Sequence, residues 1–194
     1  MRLDPAFYLR NSATTVAKQL LGKILFTKIE NKVTAGMIVE TEAYSYQEKG
    51  CHAYKGMTKR NEAMFAAGGV AYVYLCYGVH EMFNVVTNKK SKADAVLVRA
   101  LQPMEGMETM MERIKTNSLN RITSGPGKLT KAMSIDRSLN GKDLIGEYIW
   151  IEDQNINIHG KDIESSERIG IGYAGDDARL PWRFTVRGNK WVSK

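Results

Sequence analysis

The sequence lacks the features that mark secreted and membrane-spanning proteins. Its 194 residues include only two cysteines, which are too few for a disulfide scaffold. No apolar run approaches the roughly 18 residues that a membrane span requires. Asp4 and Pro5 stand where a signal peptide would have its apolar core. We therefore expect one domain over residues 1–194 that resides in a reducing cytoplasm and has no membrane partner.

Signatures of bound metal are also missing. His52 adjoins Cys51, but neither a Cys-x-x-Cys nor a His-x-x-x-His spacing accompanies them. The Pro-Cys-x-x-Cys motif of zinc-dependent nucleobase deaminases is absent as well. The sequence therefore predicts no metal site.

Two glycine-rich strings match nucleotide-binding motifs only in part. Gly170–Gly175 has the dinucleotide-binding spacing, but no helix followed by a strand with a distal acid comes after it. Ser124–Lys128 lacks the earlier glycine and the Lys-Ser/Thr ending of a Walker A loop. We therefore expect no cofactor. We interpret the first string as a turn that brings backbone close to a ligand, and the second as a capped helix start that can hold a phosphate.

Positive charge is what the sequence has in excess. Lys and Arg number 28 against 21 Asp and Glu, which gives a net charge of +7 at pH 7. Such an excess suits a polyanionic partner. Many small proteins are mildly basic for solubility alone, so composition leaves both possibilities open.

Short strands and short helices follow one another without regular alternation, and no linker rich in Gly, Pro or Ser divides the chain. This pattern predicts an α+β fold with a curved, mostly antiparallel sheet, short surrounding helices and a protruding β-hairpin. The predicted strands span residues 23–30, 33–44, 70–76, 81–87, 95–101, 148–152 and 184–187. The predicted helices span residues 13–21, 61–67, 103–115 and 127–133, with Pro103 opening the third and Ser124 capping the fourth.

Two carboxylates stand in one apolar strand. Glu40 and Glu42 are two residues apart, so both should point to one face with Cβ atoms roughly 6.5–7 Å apart. Either that face is solvated, or each carboxylate is paired with a cation, or one of them is a general base or nucleophile tuned by burial. Arg99 interrupts another apolar strand and needs an anionic partner, for which Glu42 or Glu40 is the natural candidate.

Tyrosines mark the predicted hairpin. Tyr72 and Tyr74 share one face of the strand. A tyrosine in a sheet is most often buried, and we expect this of Tyr72. Tyr77 falls at the tip, where an exposed aromatic ring can enter a stack of nucleobases. Asn84 interrupts the return strand, but a lone Asn there is usually satisfied by backbone groups, so this signal is weak.

Several segments occur in the order found in the alkyladenine (3-methyladenine) DNA glycosylases, which the chain therefore resembles. They are VETEAY, His52 in the loop that follows, YVYLCYG, the strand with Asn84, VLVRALQPMEG, SGPGKL and RIGIGYAG…RFTVRGNKWVS. The similarity runs from about Gly36 to Ser193. It is closest to the compact, bacterial-type members, which lack the long N-terminal extension of the animal proteins.

The resemblance implies a base-excision enzyme that flips a damaged purine out of double-stranded DNA and hydrolyses its N-glycosidic bond. By position, Glu42 rather than Glu40 matches the general base of the family. Arg99 matches the arginine that helps to hold the attacking water. Ile169 matches the residue whose main-chain carbonyl also contacts that water.

The resemblance also implies a pocket for the flipped base. Tyr44, His52 and Tyr74 match the walls that stack on the base and frame it. Asn84 matches the asparagine that crowds the 2-amino group of normal guanine.

A further group of residues is implied to contact the DNA itself. Tyr77 matches the side chain that fills the gap left in the duplex. Lys128 and Arg137 match basic residues near the phosphates, and Arg60 is a weaker candidate of the same kind.

Three functions remain compatible with these residues. The resemblance favours a monomeric glycosylase acting on alkylated or deaminated purines of the 3-methyladenine, 7-methylguanine and hypoxanthine type. A non-catalytic nucleic-acid-binding protein could use the same tyrosines and charge, and a small-nucleoside hydrolase could use the same carboxylates. The loops from Glu42 to His52 and from Asn84 to Arg99, the latter with a lysine cluster, differ in length from those of animal members. Substrate range is therefore not carried over unchanged.

Overall fold

The computed structural model describes residues 1–193, which build a curled antiparallel sheet flanked by short helices. The eight strands are β1 (Ile24–Ile29), β2 (Lys32–Tyr44), β3 (Ala71–Cys76), β4 (His80–Thr87), β5 (Asp94–Glu105), β6 (Ile149–Glu152), β7 (Ile163–Ser166) and β8 (Arg183–Val186). Their order is β3-β4-β5-β2-β1-β6, and β8 pairs with both β2 and β7. This α+β architecture confirms the predicted fold class.

Strand β2 positions the two carboxylates because it is paired along both edges. Strand β5 covers one edge, while β1 and then β8 cover successive parts of the other. The pairing with β5 is irregular: Thr41 lies opposite Val98 and Glu40 opposite Ala100, so Arg99 is the extra residue of a bulge. A bulge redirects side chains relative to simple alternation. Here Arg99 reaches the side chains of Glu40 and Glu42.

Short helices pack against the sheet. They are α1 (Pro5–Tyr8), α2 (Ala13–Leu20), α3 (Met107–Ile114) and α4 (Pro126–Met133), with 3₁₀ turns at Glu62–Phe65, Arg137–Leu139, Gly160–Asp162 and Gly172–Arg179. Helix α2 packs on β2 and β5, and α4 packs on β4 and β5. No helix within residues 1–193 combines the length and apolar character needed to cross a bilayer.

The core is divided between two clusters of buried side chains. The larger one fills the space between the sheet and helices α2 and α4, and includes Leu20, Phe83 and Leu129. The smaller one includes Cys51, Met64 and Tyr72, and it anchors the loop after β2 against the hairpin strands. The second cluster therefore holds that loop, which contains His52, in place beside β3.

Two local predictions were wrong. Pro103 does not open a helix but lies in β5 opposite Gly36, next to a register shift, where the missing N–H of proline is tolerated. The helix begins only after Gly106, whose φ of +70° ends the strand. Ser124 does not cap α4, because Gly125 occupies the N-cap position and the Ser124 hydroxyl has no hydrogen-bond partner among the described residues.

Candidate active site

A cleft of about 470 Å³ opens between the β3–β4 hairpin, the loop after β2 and the turn that follows β7. This volume falls in the range of ordinary small-molecule sites. The structure brings eight of the predicted site residues to its walls: Tyr44, His52, Arg60, Tyr74, Tyr77, Asn84, Arg99 and Ile169. Lys128 and Arg137 are not among the lining residues.

Glu42 lies directly behind this cleft and is fully buried. Its Oε1 accepts the backbone N–H of Ile169 at 2.8 Å, and its Oε2 accepts the Tyr44 hydroxyl at 2.9 Å and Arg99 Nη1 at 3.3 Å. All three partners line the cleft. Because a carboxylate offers about four lone-pair positions, three donors leave it able to accept one more hydrogen bond.

Arg99 forms ion pairs with both buried carboxylates. Its Nε donates to Glu40 at 3.0 Å and its Nη1 to Glu42 at 3.3 Å, so both candidate partners are used. Burial alone would lower the pKa of Arg99, but the charges of Glu42 and Glu40 outweigh this effect and raise the pKa above its usual value. The guanidinium is therefore charged at any pH at which the chain is folded.

One wall of the cleft is aromatic. The His52 ring meets Tyr74 edge-on with 4.6 Å between centroids, and its Nδ1 lies 2.9 Å from the Tyr72 hydroxyl. Tyr72 and Tyr74 stack with 5.3 Å between centroids. As predicted, Tyr72 is buried in the sheet. Together these rings form a flat-sided slot that suits a planar ligand.

His52 is neutral at physiological pH. Desolvation in the cleft, followed by the charge of Arg60, lowers the pKa of His52 to about 4. The neutral ring fits the hydrogen bond with Tyr72, whose pKa burial raises to about 12. The slot is therefore lined by uncharged rings that do not repel a cationic ligand.

Tyr44 is also held in the protonated form. Burial, followed by the charge of Glu42, raises the pKa of Tyr44 well above its usual value. The hydroxyl can therefore only donate to Glu42, which fixes the position of the carboxylate.

Asn84 occupies the floor of the slot and is 5% exposed. Its Nδ2 donates to the Tyr72 carbonyl at 3.2 Å, so a backbone group does satisfy the amide, as is usual for a lone Asn in a strand. The side chain still lines the cleft.

The pair of Arg168 and Glu48 supports the site and is missing from the residues that sequence reasoning selected. Arg168 forms two parallel bonds to Glu48, at 2.7 and 2.9 Å, and also donates to the carbonyls of Ala43 and Asp177. Its guanidinium lies 4.7 Å from the Tyr44 ring centroid. It thus ties the loop after β2 to the turn that contains Ile169. The sequence signal nearest to Arg168 is the glycine-rich string at Gly170–Gly175, which predicted a turn but not this ion pair.

The glycine-rich string forms a turn and not a dinucleotide site. Gly170 has a φ of +79° and Gly175 a φ of +62°, and a 3₁₀ turn rather than an α-helix spans the segment. Such φ values favour glycine. The turn brings the amide of Ile169 onto Glu42, whereas the sequence-based expectation concerned the carbonyl of the same residue.

The hairpin tip is the most exposed aromatic position of the site. Tyr77 is 88% exposed and has a φ of +50°, followed by Gly78 with a φ of +70°. Arg60 stacks on the Tyr74 ring at 5.2 Å. Arg137 pairs with Glu81 of β4 at 3.0 Å, and Lys128 is exposed in the first turn of α4.

The described residues also contain no group of three or more His, Cys, Asp or Glu side chains arranged to hold a metal ion. The chemistry visible at the cleft is that of a buried carboxylate, an arginine and aromatic rings.

The cleft thus places a buried carboxylate beside a flat-sided aromatic slot, an arrangement that suits hydrolysis of a bond to a planar group. Residues 6–190 match the family model described as methylpurine-DNA glycosylase (MPG), and the chain belongs to that family. It is thus a DNA glycosylase, a repair enzyme that hydrolyses N-glycosidic bonds, which confirms the family resemblance seen in the sequence.

Similar proteins extend over the same length. A protein of Natranaerobius thermophilus is 42% identical over 100% of this chain and 99% of its own length. One of Carboxydothermus hydrogenoformans is 45% identical over the whole of both chains. One of Francisella tularensis is 43% identical over 96% of each. All three have the name "Putative 3-methyladenine DNA glycosylase".

Proposed function

We propose that this chain is a monofunctional DNA glycosylase that flips alkylated or deaminated purines out of duplex DNA and leaves an abasic site. The purines are of the 3-methyladenine, 7-methylguanine and hypoxanthine type. The observation that carries the proposal is the buried Glu42 carboxylate, held by Arg99, Tyr44 and the Ile169 amide directly behind an aromatic slot. The names of the similar proteins support the same substrate class.

The reaction needs a nucleophile more than it needs an acid. Purines alkylated at N3 or N7 are cationic, so the base departs with the electron pair of the C1′–N bond without prior protonation. Water then forms the new bond to C1′ while Glu42 accepts its proton and stabilises the oxocarbenium-like sugar. This is glycoside hydrolysis with the general-acid role partly removed.

Arg99 and Ile169 place the water. The guanidinium of Arg99 lines the cleft and contacts Glu42, so it holds the carboxylate and the water in one plane. The Ile169 amide fixes Oε1 of Glu42, and the carbonyl of the same residue is proposed as the second water contact. Preorganised contacts of this kind need no rearrangement during the reaction.

The slot selects its base by charge and shape. Tyr44, His52 and Tyr74 offer aromatic faces, and stacking of a cationic ring on such faces contributes about 0.5–2 kcal/mol. The neutral state of His52, with its pKa of about 4, avoids repulsion of that ring. Asn84 occupies the edge where the 2-amino group of normal guanine would lie.

The surface around the slot binds the duplex. Tyr77 at the hairpin tip enters the stack where the base has left, which offsets part of the few kcal/mol that flipping costs. Lys128, Arg137 and Arg60 contact phosphates, and the net charge of +7 supplies salt-dependent affinity. The enzyme acts as a monomer.

A gel assay with an abasic-site cleavage step tests this function. Duplexes with a single 7-methylguanine or hypoxanthine should yield abasic sites with the wild-type chain. Glu42→Gln should bind the same duplexes but lose excision by a factor of about 10²–10⁴, as expected for loss of a general base.

Other outcomes would contradict the proposal. Binding of DNA without any abasic site indicates a non-catalytic nucleic-acid-binding protein. Equal activity on free nucleosides indicates a small-nucleoside hydrolase. Near-normal excision by Glu42→Gln removes Glu42 from the mechanism.

A further inference from the structure

Glu40 is the second buried carboxylate of β2 and has no part in the reaction proposed above. It is as fully buried as Glu42. Its Oε1 accepts Arg99 Nε at 3.0 Å, Arg183 Nε at 2.7 Å and the Ser193 hydroxyl at 2.8 Å. Its Oε2 accepts the Ser193 backbone N–H at 2.7 Å. Four donors, three of them on Oε1, therefore hold this carboxylate in one position.

Arg99 is divided between the two carboxylates. Its guanidinium is a rigid plane, so a hydrogen bond at Nε limits rotation of that plane and sets the direction of the Nη groups. Glu40 holds Nε, Glu42 holds Nη1, and Arg99 lines the cleft. Glu40 therefore determines which edge of Arg99 meets Glu42 and the cleft.

The charged side chains around Glu40 alternate in sign from one ion pair to the next. Glu42, Arg99, Glu40 and Arg183 form consecutive ion pairs of 3.3, 3.0 and 2.7 Å. If Glu40 lost its charge, Arg99 would have Glu42 as its only carboxylate. It would then move toward a two-fold contact with Glu42 and occupy the acceptor positions that the water needs.

The end of the described chain completes the cluster. Arg183 starts β8, lies opposite Glu42 in the register with β2, and donates to the Ser193 carbonyl at 3.3 Å. Trp191 is buried next to this segment. Arg183 and Ser193 thus both contact Glu40 and each other.

We propose that Glu40 is a positioning residue, held by Ser193 and Arg183, that orients the Arg99 guanidinium for water activation by Glu42. The inference rests on the proposed glycosylase function.

Glu40→Gln tests it under single-turnover conditions. The side chain keeps its size but loses its charge, and its amide nitrogen meets the Ser193 N–H donor to donor. The excision rate constant should fall by about 10- to 100-fold, the cost of a misplacement near 1 Å. The dissociation constant for the damaged duplex should change by less than about threefold, because Glu40 lies outside the slot. Glu164→Gln is the matched control, since it removes an exposed carboxylate from β7, and should match wild type.

A second background separates positioning from structural support. In Arg99→Lys, one ammonium group cannot hold two carboxylates in the same plane, so there is no guanidinium for Glu40 to orient. Adding Glu40→Gln to that variant should lower excision by less than about twofold, as coupled residues are non-additive. A purely structural role predicts the same loss in both backgrounds and overturns the inference.

A chain that ends at Val192 keeps the test valid if Glu40→Gln does not fold. It removes both Ser193 donors to Glu40 and leaves the core intact. We expect excision to fall by about 3- to 10-fold with unchanged duplex binding, a partial form of the misplacement above. Wild-type excision rates in both variants overturn the inference while leaving the function intact. Absence of excision by the wild-type chain overturns the function and the inference together.

Discussion

Two buried arginine–glutamate pairs contact Tyr44, and they differ in how the arginine meets the carboxylate. Arg168 and Glu48 form a two-fold contact at 2.7 and 2.9 Å, and two carbonyls take further guanidinium bonds. Arg99 meets Glu42 through one bond at 3.3 Å and shares itself with Glu40. The ring of Tyr44 stacks on the first arginine, and its hydroxyl holds Glu42.

The comparison separates support from chemistry. The two-fold pair holds the loop after β2 to the turn that contains Ile169, although Arg168 Nε has no hydrogen-bond partner among the described residues. Glu42 accepts three hydrogen bonds, as Glu48 does, but it lies directly behind the cleft, where the proposed mechanism needs a proton acceptor. In the proposed function, the same residue types serve two purposes, distinguished by their place relative to the cleft and not by burial.

The largest effect on stability should come from the two-fold pair of Arg168 and Glu48. Glu48→Gln leaves the buried Arg168 without a carboxylate partner, and loss of one member of a buried pair typically costs about 3–5 kcal/mol. Glu42→Gln leaves Arg99 still paired with Glu40, so its free energy of unfolding should fall by only about 1 kcal/mol. Urea unfolding of both variants measures the contrast. Equal losses would show that the two pairs are energetically alike.

The next effect concerns the hairpin tip and activity on duplex DNA. Tyr77→Ala should reduce excision from duplex by about tenfold or more, since stacking of a base on an aromatic ring contributes about 1–3 kcal/mol. Activity on nucleoside-like substrates should change less, because no stack needs refilling. The control Val79→Ala alters another exposed residue near the tip and should stay near wild type. Equal losses on both kinds of substrate would contradict the wedge role.

The smallest effect concerns the pH dependence of stability. The pKa of His52 is lowered from 6.5 to about 4 in the folded chain. Between these values the unfolded chain binds more protons, so stability is complete above pH 6.5 and declines as the pH falls toward 4.

Replacing His52 should weaken that decline. His52→Gln should show a shallower fall in the urea midpoint between pH 6.5 and pH 4, while His159→Gln, at an exposed position, should follow wild type. An unchanged slope in the first variant would mean that His52 is charged in the folded chain.

Much of the fold followed from local patterns. Alternating residues and turn signals predicted seven of the eight strands, because side-chain period and turn chemistry are local properties. Strand β7 was not predicted, because its sequence IESS is short and mostly exposed. The extension of β5 through Pro103 was not predicted, because pairing with β2, a non-local contact, outweighs the local helical pattern.

The site was predictable where a residue type is costly in its context. Arg99 in an apolar strand required an anion, and both candidates proved to be its partners. The link between Arg168 and Glu48 joins positions 120 residues apart, and neither residue stands out in its local sequence. The bulge at Arg99 likewise depends on the register between two strands, which no single segment encodes. The roles assigned to individual residues in catalysis and DNA contact stay predictions.

The backbone at Tyr77 has a consequence for how this enzyme can change. A φ of +50° suits Gly, Asn or Asp, whereas a large aromatic residue there stores strain that the turn must tolerate. Selection for thermal stability alone would therefore replace this tyrosine with a small residue that favours turns. The tyrosine at the tip therefore lowers the stability of the turn. Attempts to raise the stability of the enzyme should leave that loop unchanged.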